Sequence, residues 1–206
     1  MKDFYQKLNL SVEKSTIDKI NDYIDKKCYR YNNDLIFETT DLFENLFGKK
    51  HKENYNDRIG GGPGRNLTSF INLPSNIISG SNIQKIVDIV SLKHKATAVI
   101  TKIPPNYYLS WHVDLSRTVG INIPLDNLEN SFTFFTTEEI NEQSVNTKSL
   151  SITKLNYELY SMFVLNTKKY HTVFNTSHSN RFMVLILFVS ESYQNFCNYL
   201  NHKNLI

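Results

Sequence analysis

Cysteine is scarce in this sequence, and the two cysteines, Cys28 and Cys197, lie near opposite ends of the chain. Two cysteines without metal-binding or redox spacing do not indicate a disulfide framework, so a reducing cytoplasm is the expected compartment. The sequence also lacks any apolar run near the roughly 20 residues that span a bilayer. The longest candidate, Phe182 to Val189, has the length of a strand, and no membrane partner is expected.

Charge of one sign is not concentrated anywhere in the chain. The formal net charge is only +3, and the lysines are scattered rather than gathered in one arm. Proteins that bind nucleic acid usually carry a basic stripe for the phosphate backbone. Nucleic acid is therefore not indicated as a partner.

The composition is that of one globular domain with a single core. Hydrophobic residues make up 40% and charged residues 21% of the 206 residues, which is ordinary for such a domain. We predict one domain over residues 1–206, with a helical N-terminal part over 1–95, a core over 96–190 and a C-terminal tail over 191–206. The N-terminal helices are expected to pack on the outside of the core.

Apolar residues recur at three- and four-residue steps in the N-terminal part, which is typical of amphipathic helices. This pattern predicts helices over 15–31 and 82–92, and a short helix is expected around 40–47. The polar segment that follows the short helix contains Gly60 to Arg65 and is interpreted as a loop. No Lys-Ser/Thr pair follows these glycines, so the loop resembles a phosphate-binding loop only superficially. It is either a connector or a lid over a site in the core.

After residue 95, short runs of β-branched and aromatic residues alternate with turn-forming residues, a pattern that indicates strands. Eight such strands in one half of a chain predict a mainly β fold with N-terminal helices, built on a double-stranded β-helix (jelly-roll or cupin-like) core. The predicted strands are Ala96 to Ile103, Tyr107 to Asp114, Thr118 to Pro124, Ser131 to Thr136, Leu150 to Lys154, Ser161 to Leu165, Tyr170 to Asn175 and Arg181 to Val189.

Three potential metal ligands lie on two of these strands. His112 and Asp114 are two residues apart at the end of one strand, and side chains at that spacing project from the same face. His171 lies on a later strand that a jelly roll can bring back beside the first. Two histidines and one carboxylate on one side of a metal form the facial triad of non-haem Fe(II) oxygenases, which leaves three coordination positions open.

Arg181 is the fourth element of this pattern, ten residues after His171 at the start of the last strand. If a tight turn joins the two strands, Arg181 returns alongside the metal-bearing strand and points into the same barrel. A guanidinium can grip a carboxylate through two parallel, charge-assisted hydrogen bonds. Arg181 is therefore expected to hold the far end of a dicarboxylic keto acid whose near end chelates iron.

Four further residues are candidates for contacts with such a co-substrate, each beside a structural alternative. Arg117 follows the first two ligands and could reach the 1-carboxylate of the keto acid or an acid group of the substrate, or could be a surface arginine. Asn122 is a polar residue in mid-strand that suits a polar ligand or structural hydrogen bonding. Tyr108 and Ser110 are expected to share the strand face of His112, so either hydroxyl could touch the co-substrate.

The spacing His112-X-Asp114, then His171, then Arg181 resembles the iron- and 2-oxoglutarate-dependent dioxygenases over roughly Ala96 to Ser190. The segments around these residues are also similar to the aspartyl/asparaginyl β-hydroxylase-like branch and to prolyl hydroxylases. Members with the animal aspartyl hydroxylase pattern lack the carboxylate ligand, whereas Asp114 is present here. The resemblance implies Fe(II), 2-oxoglutarate and O2 as cofactor and co-substrates, with release of succinate and CO2.

The resemblance further implies hydroxylation of a C–H bond, and we expect the substrate to be an amino-acid side chain, free or in a protein. Two other enzymatic functions remain open at this point: a metal-dependent cupin-type isomerase or hydrolase with the same ligands, and an oxygenase that acts on a nucleobase. A third alternative is a structural or carbohydrate-binding jelly roll. In that case two histidines, an aspartate and an arginine in the core would serve no purpose, although burying them is unfavourable.

Overall fold

The computed structural model describes residues 3–30, 69–114, 117–126, 128–138, 151–190 and 192–206. The strands in these ranges are β1 (Tyr5–Ser11), β2 (Ser69–Asn72), β3 (Ala96–Ile103), β4 (Tyr107–His112), β5 (Val119–Pro124), β6 (Ser131–Thr136), β7 (Thr153–Leu155), β8 (Ser161–Asn166), β9 (Tyr170–Asn175) and β10 (Arg181–Phe188). The helices are α1 (Lys14–Arg30), α2 (Ser75–Ile78), α3 (Asn82–Ser91) and α4 (Tyr193–His202). The expected helix around 40–47 and the loop from Gly60 to Arg65 lie outside the described residues.

The strands form two antiparallel sheets that pack face to face. One sheet has six strands in the order β1-β8-β5-β10-β3-β2, and the other has four in the order β4-β9-β6-β7. Strands that are distant in the chain are neighbours in each sheet, as they are in a jelly roll. The structure therefore confirms a mainly β fold with a double-stranded β-helix core.

The larger hydrophobic core lies on the outer face of the six-stranded sheet, where the helices cover it. Helix α3 was predicted from an apolar stripe, and its buried residues are those of that stripe, with Ser81 as the N-cap that accepts a hydrogen bond from Gln84 N. The helical residues in this core include Ile17, Ile20 and Ile24 of α1, Ile83, Ile86 and Val90 of α3, and Phe196 and Leu200 of α4. No helix in the described ranges has the length and hydropathy of a membrane span.

A smaller aromatic cluster fills one part of the space between the sheets. Phe135 and Leu155 of the four-stranded sheet meet Phe163 and Leu165 of the six-stranded sheet, and Phe4 closes the group. Side chains alternate along a strand, so β5, β8 and β10 send one set of residues to the helices and the other into this interior. The polar side chains of the interior form the candidate site described below.

The N-terminal part is not wholly helical, because it also contains β1 and β2. Strand β1 pairs with β8 at one edge of the larger sheet, and β2 pairs with β3 at the other. The prediction missed β1 because an edge strand needs few buried positions, and Leu8 is its only fully buried residue. The expected C-terminal tail contains helix α4, which begins after the N-cap Ser192.

The connection from β9 to β10 is not the tight turn on which the expected position of Arg181 beside β9 depended. Strand β9 belongs to the four-stranded sheet, whereas β10 lies between β5 and β3 in the six-stranded sheet. Asn175, fully buried at the end of β9, holds this corner because its Nδ2 group donates to the carbonyls of Ile103, Pro104 and Ser179. Arg181 therefore starts a strand of the opposite sheet instead of lying beside β9.

Candidate active site

His112, Asp114 and His171 come together at the end of β4 and the start of β9. One potential ligand atom from each residue lies within 4.8 Å of the others, and His112 pairs directly with His171 across the two strands. The two imidazole ring centroids are 4.2 Å apart. Because metal–nitrogen distances are about 2.1 Å, the three groups can close around one ion by shifts on the order of 1 Å.

Hydrogen bonds to the backbone select the ring nitrogen that each histidine can offer to a metal. The Nδ1 atom of His112 lies 2.6 Å from the Ser110 carbonyl oxygen, and Nδ1 of His171 lies 2.9 Å from the Lys169 carbonyl oxygen. A carbonyl oxygen can only accept, so Nδ1 carries the proton and donates it in both residues. The free lone pair is then on Nε2. The hydrogen bond from Nδ1 orients each ring, as it does in metal-binding histidines.

A bulge in β4 decides which side chains share the face of His112. The register with β9 shifts between Leu109 and His112, so that three steps on β4 match two on β9. Bulges of this kind break the regular alternation of a strand. His112 consequently lies on the same face as Leu109, and the expectation that Tyr108 shares this face is wrong.

Tyr108 instead lies on the outer surface of the four-stranded sheet. It is 48% exposed, and its ring stacks on Phe174 with centroids 5.6 Å apart. Ser110 contributes its backbone carbonyl to the site, as the acceptor for His112. His178, a histidine in the connection between β9 and β10, is exposed.

Arg117 is paired with Asp114 inside the site and is not a surface arginine. Its Nε and Nη2 atoms lie 2.7 and 2.6 Å from the same carboxylate oxygen, Oδ2. Burial by itself would raise the pKa of Asp114, but the charge of Arg117 holds that pKa below its ordinary value. Asp114 is therefore an anion whose other oxygen, Oδ1, lies 3.9 Å from His112 Nε2 and can bind a metal.

His171 is a neutral imidazole at physiological pH. Burial, together with the neighbouring His112, lowers the pKa of His171 from 6.5 to about 4. Metal ligation requires the neutral form of histidine. No proton competes with the metal for Nε2 of His171 near pH 7.

The turn between β8 and β9 ties the two ligand-bearing segments together. Asp114 N donates to the Thr167 carbonyl at 2.9 Å, and Thr167 Oγ1 donates to the Arg117 carbonyl at 2.9 Å. Lys168 Nζ also donates to the Asp114 carbonyl at 2.9 Å. The same turn leads through Lys169 to His171. One short segment therefore positions both ligand-bearing segments of the candidate metal centre.

We expect Thr167→Val to loosen this arrangement without changing side-chain volume. Thr167 is 2% exposed, and loss of its hydroxyl leaves the Arg117 carbonyl without that donor, which costs about 1 to 3 kcal/mol of unfolding free energy. Urea unfolding measures this loss, and Mn(II) titration should show weaker binding. Thr176→Val is the matched control, because Thr176 Oγ1 makes an exposed hydrogen bond to the Asn130 carbonyl. Equal losses in both variants would contradict this role of the turn.

Arg181 lies fully buried in the interior, with 0% exposure. Its Nε, Nη1 and Nη2 atoms have no hydrogen-bond acceptor among the described residues. Burial lowers the pKa of Arg181, although the nearby Tyr157 and Asp126 oppose this effect. The Tyr157 ring centroid lies 5.5 Å from the Arg181 Cζ atom, a cation–π contact.

A row of polar groups leads from Arg181 towards Asp114. Asn122 Nδ2 donates to Tyr157 Oη at 3.2 Å. A Cβ atom on Gly120 would lie 3.7 Å from Asn122 Oδ1 and 3.4 Å from Arg117 Nη1, so the missing side chain leaves space between these two groups. Arg117 Nη1 is itself buried and has no acceptor in the described part of the chain.

Sequence reasoning missed three residues that shape this site: Tyr157, Thr167 and Asp126. Each lies in a connection between strands, where no periodic pattern marks a functional side chain. Asp126 accepts a hydrogen bond from Phe182 N at 2.8 Å, and burial raises its pKa from 3.8 to about 6. The only available signal was that each residue closely precedes or follows a predicted inner strand.

The fold and the grouped side chains define a double-stranded β-helix protein with a candidate His/Asp/His metal centre. No family model matches this sequence, and no curated protein matches it. The structure is similar to that of AviO1 from Streptomyces viridochromogenes Tue57, with a TM-score of 0.56 and 10% identity over 91% of this chain and 90% of AviO1.

Two further solved structures share this fold. They are the non-haem α-ketoglutarate-dependent epimerase SnoN and carbocyclase SnoK, both from nogalamycin biosynthesis. SnoN has a TM-score of 0.52 and 8% identity, over 92% of this chain and 77% of SnoN. SnoK also has a TM-score of 0.52 and 8% identity, over 91% of this chain and 80% of SnoK. At these identities the similarity establishes the fold, and the function must be argued from the site.

Proposed function

We propose that this protein is an Fe(II)- and 2-oxoglutarate-dependent oxygenase. The observation that carries the proposal is Arg181, a fully buried guanidinium for which the described residues offer no acceptor, in the same interior as a cluster of two histidines and one aspartate. A metal centre alone explains the cluster of ligands. A metal centre together with a carboxylate-bearing ligand explains both the cluster and the buried Arg181.

The energetics of Arg181 favour an anionic ligand. Burial of an unpaired charge costs several kcal/mol, and a protein retains such a group where a ligand provides the missing partner. A carboxylate matches the planar guanidinium through two parallel hydrogen bonds. The polar row of Tyr157, Asn122 and Arg117 connects this anchor with Asp114, so a keto acid with acid groups at both ends fits the arrangement.

The protein's own residues then have separate tasks. His112, Asp114 and His171 bind the iron through Nε2, Oδ1 and Nε2, while Arg117 holds the other oxygen of Asp114. Arg181 binds the distal carboxylate of 2-oxoglutarate, and Arg117 Nη1 and Asn122 line the space towards the metal. The bound iron supplies the oxidation of a substrate C–H bond with O2, coupled to release of succinate and CO2.

We propose that the substrate is an amino-acid side chain, either free or in a protein, and that the reaction is hydroxylation in the cytoplasm. Support comes from the similarity of the ligand-bearing segments to amino-acid and peptide hydroxylases and from the lack of a basic stripe for nucleic acid. SnoN and SnoK are named as an epimerase and a carbocyclase. The mass of the product must therefore be measured together with succinate.

A succinate-release screen tests the proposal. Purified protein with Fe(II) and 2-oxoglutarate is incubated with pools of amino acids, peptides and lysate proteins, and products are analysed by mass spectrometry. We expect release of succinate that depends on one pool, with a gain of one oxygen on its substrate. The His171→Ala variant, which lacks one ligand, is the control.

Two results would contradict the proposal in different ways. Metal binding without any binding of 2-oxoglutarate would refute an oxygenase and favour the metal-dependent cupin-type isomerase or hydrolase, whose chemistry does not need the buried arginine. A gain of oxygen only on nucleosides or DNA would leave the oxygenase intact but refute the amino-acid substrate.

A further inference from the structure

Asp126 follows β5 and lies opposite Arg181, the first residue of β10. The two strands pair antiparallel, and continuing their register by two residues beyond the end of β5 brings Asp126 opposite Arg181. Leu125 N still donates to the Phe182 carbonyl at 3.1 Å, so the pairing does extend past β5. Residues that are opposite each other in such a pair have Cβ atoms roughly 5 Å apart and project from the same face.

The Asp126 carboxylate does not form an ion pair with the arginine opposite it. Asp126 Oδ1 accepts a hydrogen bond from Phe182 N at 2.8 Å, and the three guanidinium nitrogens of Arg181 have no hydrogen-bond partner among the described residues. Asp126 is half-buried, whereas Arg181 is fully buried. The acid therefore acts on Arg181 through its charge alone, and the donors of the guanidinium stay available to a ligand.

The charge balance around Asp126 changes when an anion binds to Arg181. Burial raises the pKa of Asp126 to about 6, while the hydrogen bond from Phe182 and the charge of Arg181 lower it. Tyr157, the other titratable group against Arg181, is a phenol, which carries no charge near pH 7. An anion on Arg181 offsets the charge that favours the ionised carboxylate and adds a negative charge beside it. Both effects raise the pKa of Asp126 further.

We infer that binding of a dicarboxylic keto acid at Arg181 is coupled to the uptake of one proton from solvent by Asp126. This inference rests on the proposed function. In the free protein, the ionised Asp126 partly offsets the charge of Arg181. In the complex, the protonated carboxyl no longer repels the distal carboxylate of the ligand. Because the complex holds more protons than the free protein, the affinity for the keto acid rises as the pH falls towards about 6.

Calorimetric titration in two buffers with different heats of ionisation, HEPES and PIPES, counts the protons. The Mn(II)-loaded protein is titrated at pH 7 with 2-oxoglutarate and with 2-oxopentanoate, which lacks the distal carboxylate. Protons exchanged at the metal are common to both ligands. With a pKa of about 6, about nine-tenths of Asp126 is ionised at pH 7. We therefore expect 2-oxoglutarate to take up about 0.5 to 0.9 proton more than 2-oxopentanoate.

The same coupling predicts how the two dissociation constants depend on pH. Between pH 7 and pH 8, the Kd of 2-oxoglutarate should rise roughly 3- to 8-fold more than the Kd of 2-oxopentanoate. Asp126→Asn should abolish this difference and the extra proton, because an amide oxygen still accepts from Phe182 N but the side chain does not take up a proton. Asp18→Asn is the matched control, since it removes an exposed carboxylate that pairs with Lys14, and it should leave the proton count unchanged.

Equal proton uptake with both keto acids in the unaltered protein overturns the inference while the proposed function stands, and this result does not depend on the folding of any variant. Unchanged extra uptake in Asp126→Asn also overturns it, because another group then receives the proton. Failure of the unaltered protein to bind 2-oxoglutarate overturns the proposed function and the inference with it.

Discussion

Replacement of His112 or His171 with alanine is expected to abolish metal binding and turnover together. Loss of a residue that merely orients a metal ligand typically weakens metal binding 10- to 100-fold, so we expect loss of a ligand to weaken it by more than about 100-fold. The remaining histidine cannot supply a second ligand atom, because its Nδ1 atom is already hydrogen-bonded to a backbone carbonyl. Titration with Mn(II) or anaerobic Fe(II) measures the effect.

His178→Ala is the matched control for this experiment. His178 is exposed in the connection between β9 and β10, and its replacement should leave the metal affinity unchanged. If the two site variants bind metal as tightly as the unaltered protein, the assignment of the three ligands is wrong. Asp114→Ala should also weaken binding, and it leaves the Arg117 guanidinium without the carboxylate that it now contacts.

Arg181→Met is expected to weaken binding of the co-substrate without destabilising the protein. Truncation of one partner of a buried, hydrogen-bonded charge pair costs about 2 to 5 kcal/mol, so the Kd of 2-oxoglutarate should rise roughly 30- to 5,000-fold. The same substitution should leave the free protein equally stable or more stable, because a well-packed apolar side chain replaces a buried charge that has no acceptor within the described ranges. Calorimetric titration and thermal unfolding measure the two effects.

Three comparisons make this prediction specific to the anchor. Mn(II) affinity should remain nearly unchanged in Arg181→Met, because Arg181 is not among the grouped ligands. Arg181→Lys should recover only part of the 2-oxoglutarate affinity, since an ammonium lacks the planar fork. An unchanged Kd for 2-oxoglutarate in Arg181→Met would mean that another cation, with Arg117 as the first candidate, binds the distal carboxylate.

Much of the fold followed from local patterns along the chain. The β-branched and aromatic runs after residue 95 predicted eight strands, and the structure has strands at all eight places with small differences at their ends. The strand predicted from Leu150 to Lys154 differs most from the structure, in which β7 covers Thr153–Leu155. Patterns of this kind succeed because the alternation of buried and exposed side chains is a property of one strand.

The errors came from features that depend on pairing between distant strands. A one-residue bulge in β4 turned Tyr108 to the outer surface, and no residue in Tyr107 to His112 signals the shift in register. The corner held by Asn175 sends β10 to the other sheet, so Arg181 faces the interior from the side opposite β9. Strand β1 gives little signal in the sequence because Leu8 is its only fully buried residue.

The sequence by itself determined the types and spacing of the side chains in the candidate site: two histidines, one carboxylate and an arginine on strands that are rich in β-branched and aromatic residues. Chemical identity and strand propensity are local, and both can be read from neighbouring residues. Only the tertiary structure decided that Arg117 holds Asp114, that Tyr157 lies against Arg181, and that Arg181 is buried where no other part of the described chain offers it an acceptor. These relations join residues of different strands and connections, and the bulge, the corner and the packing of the two sheets set their distances.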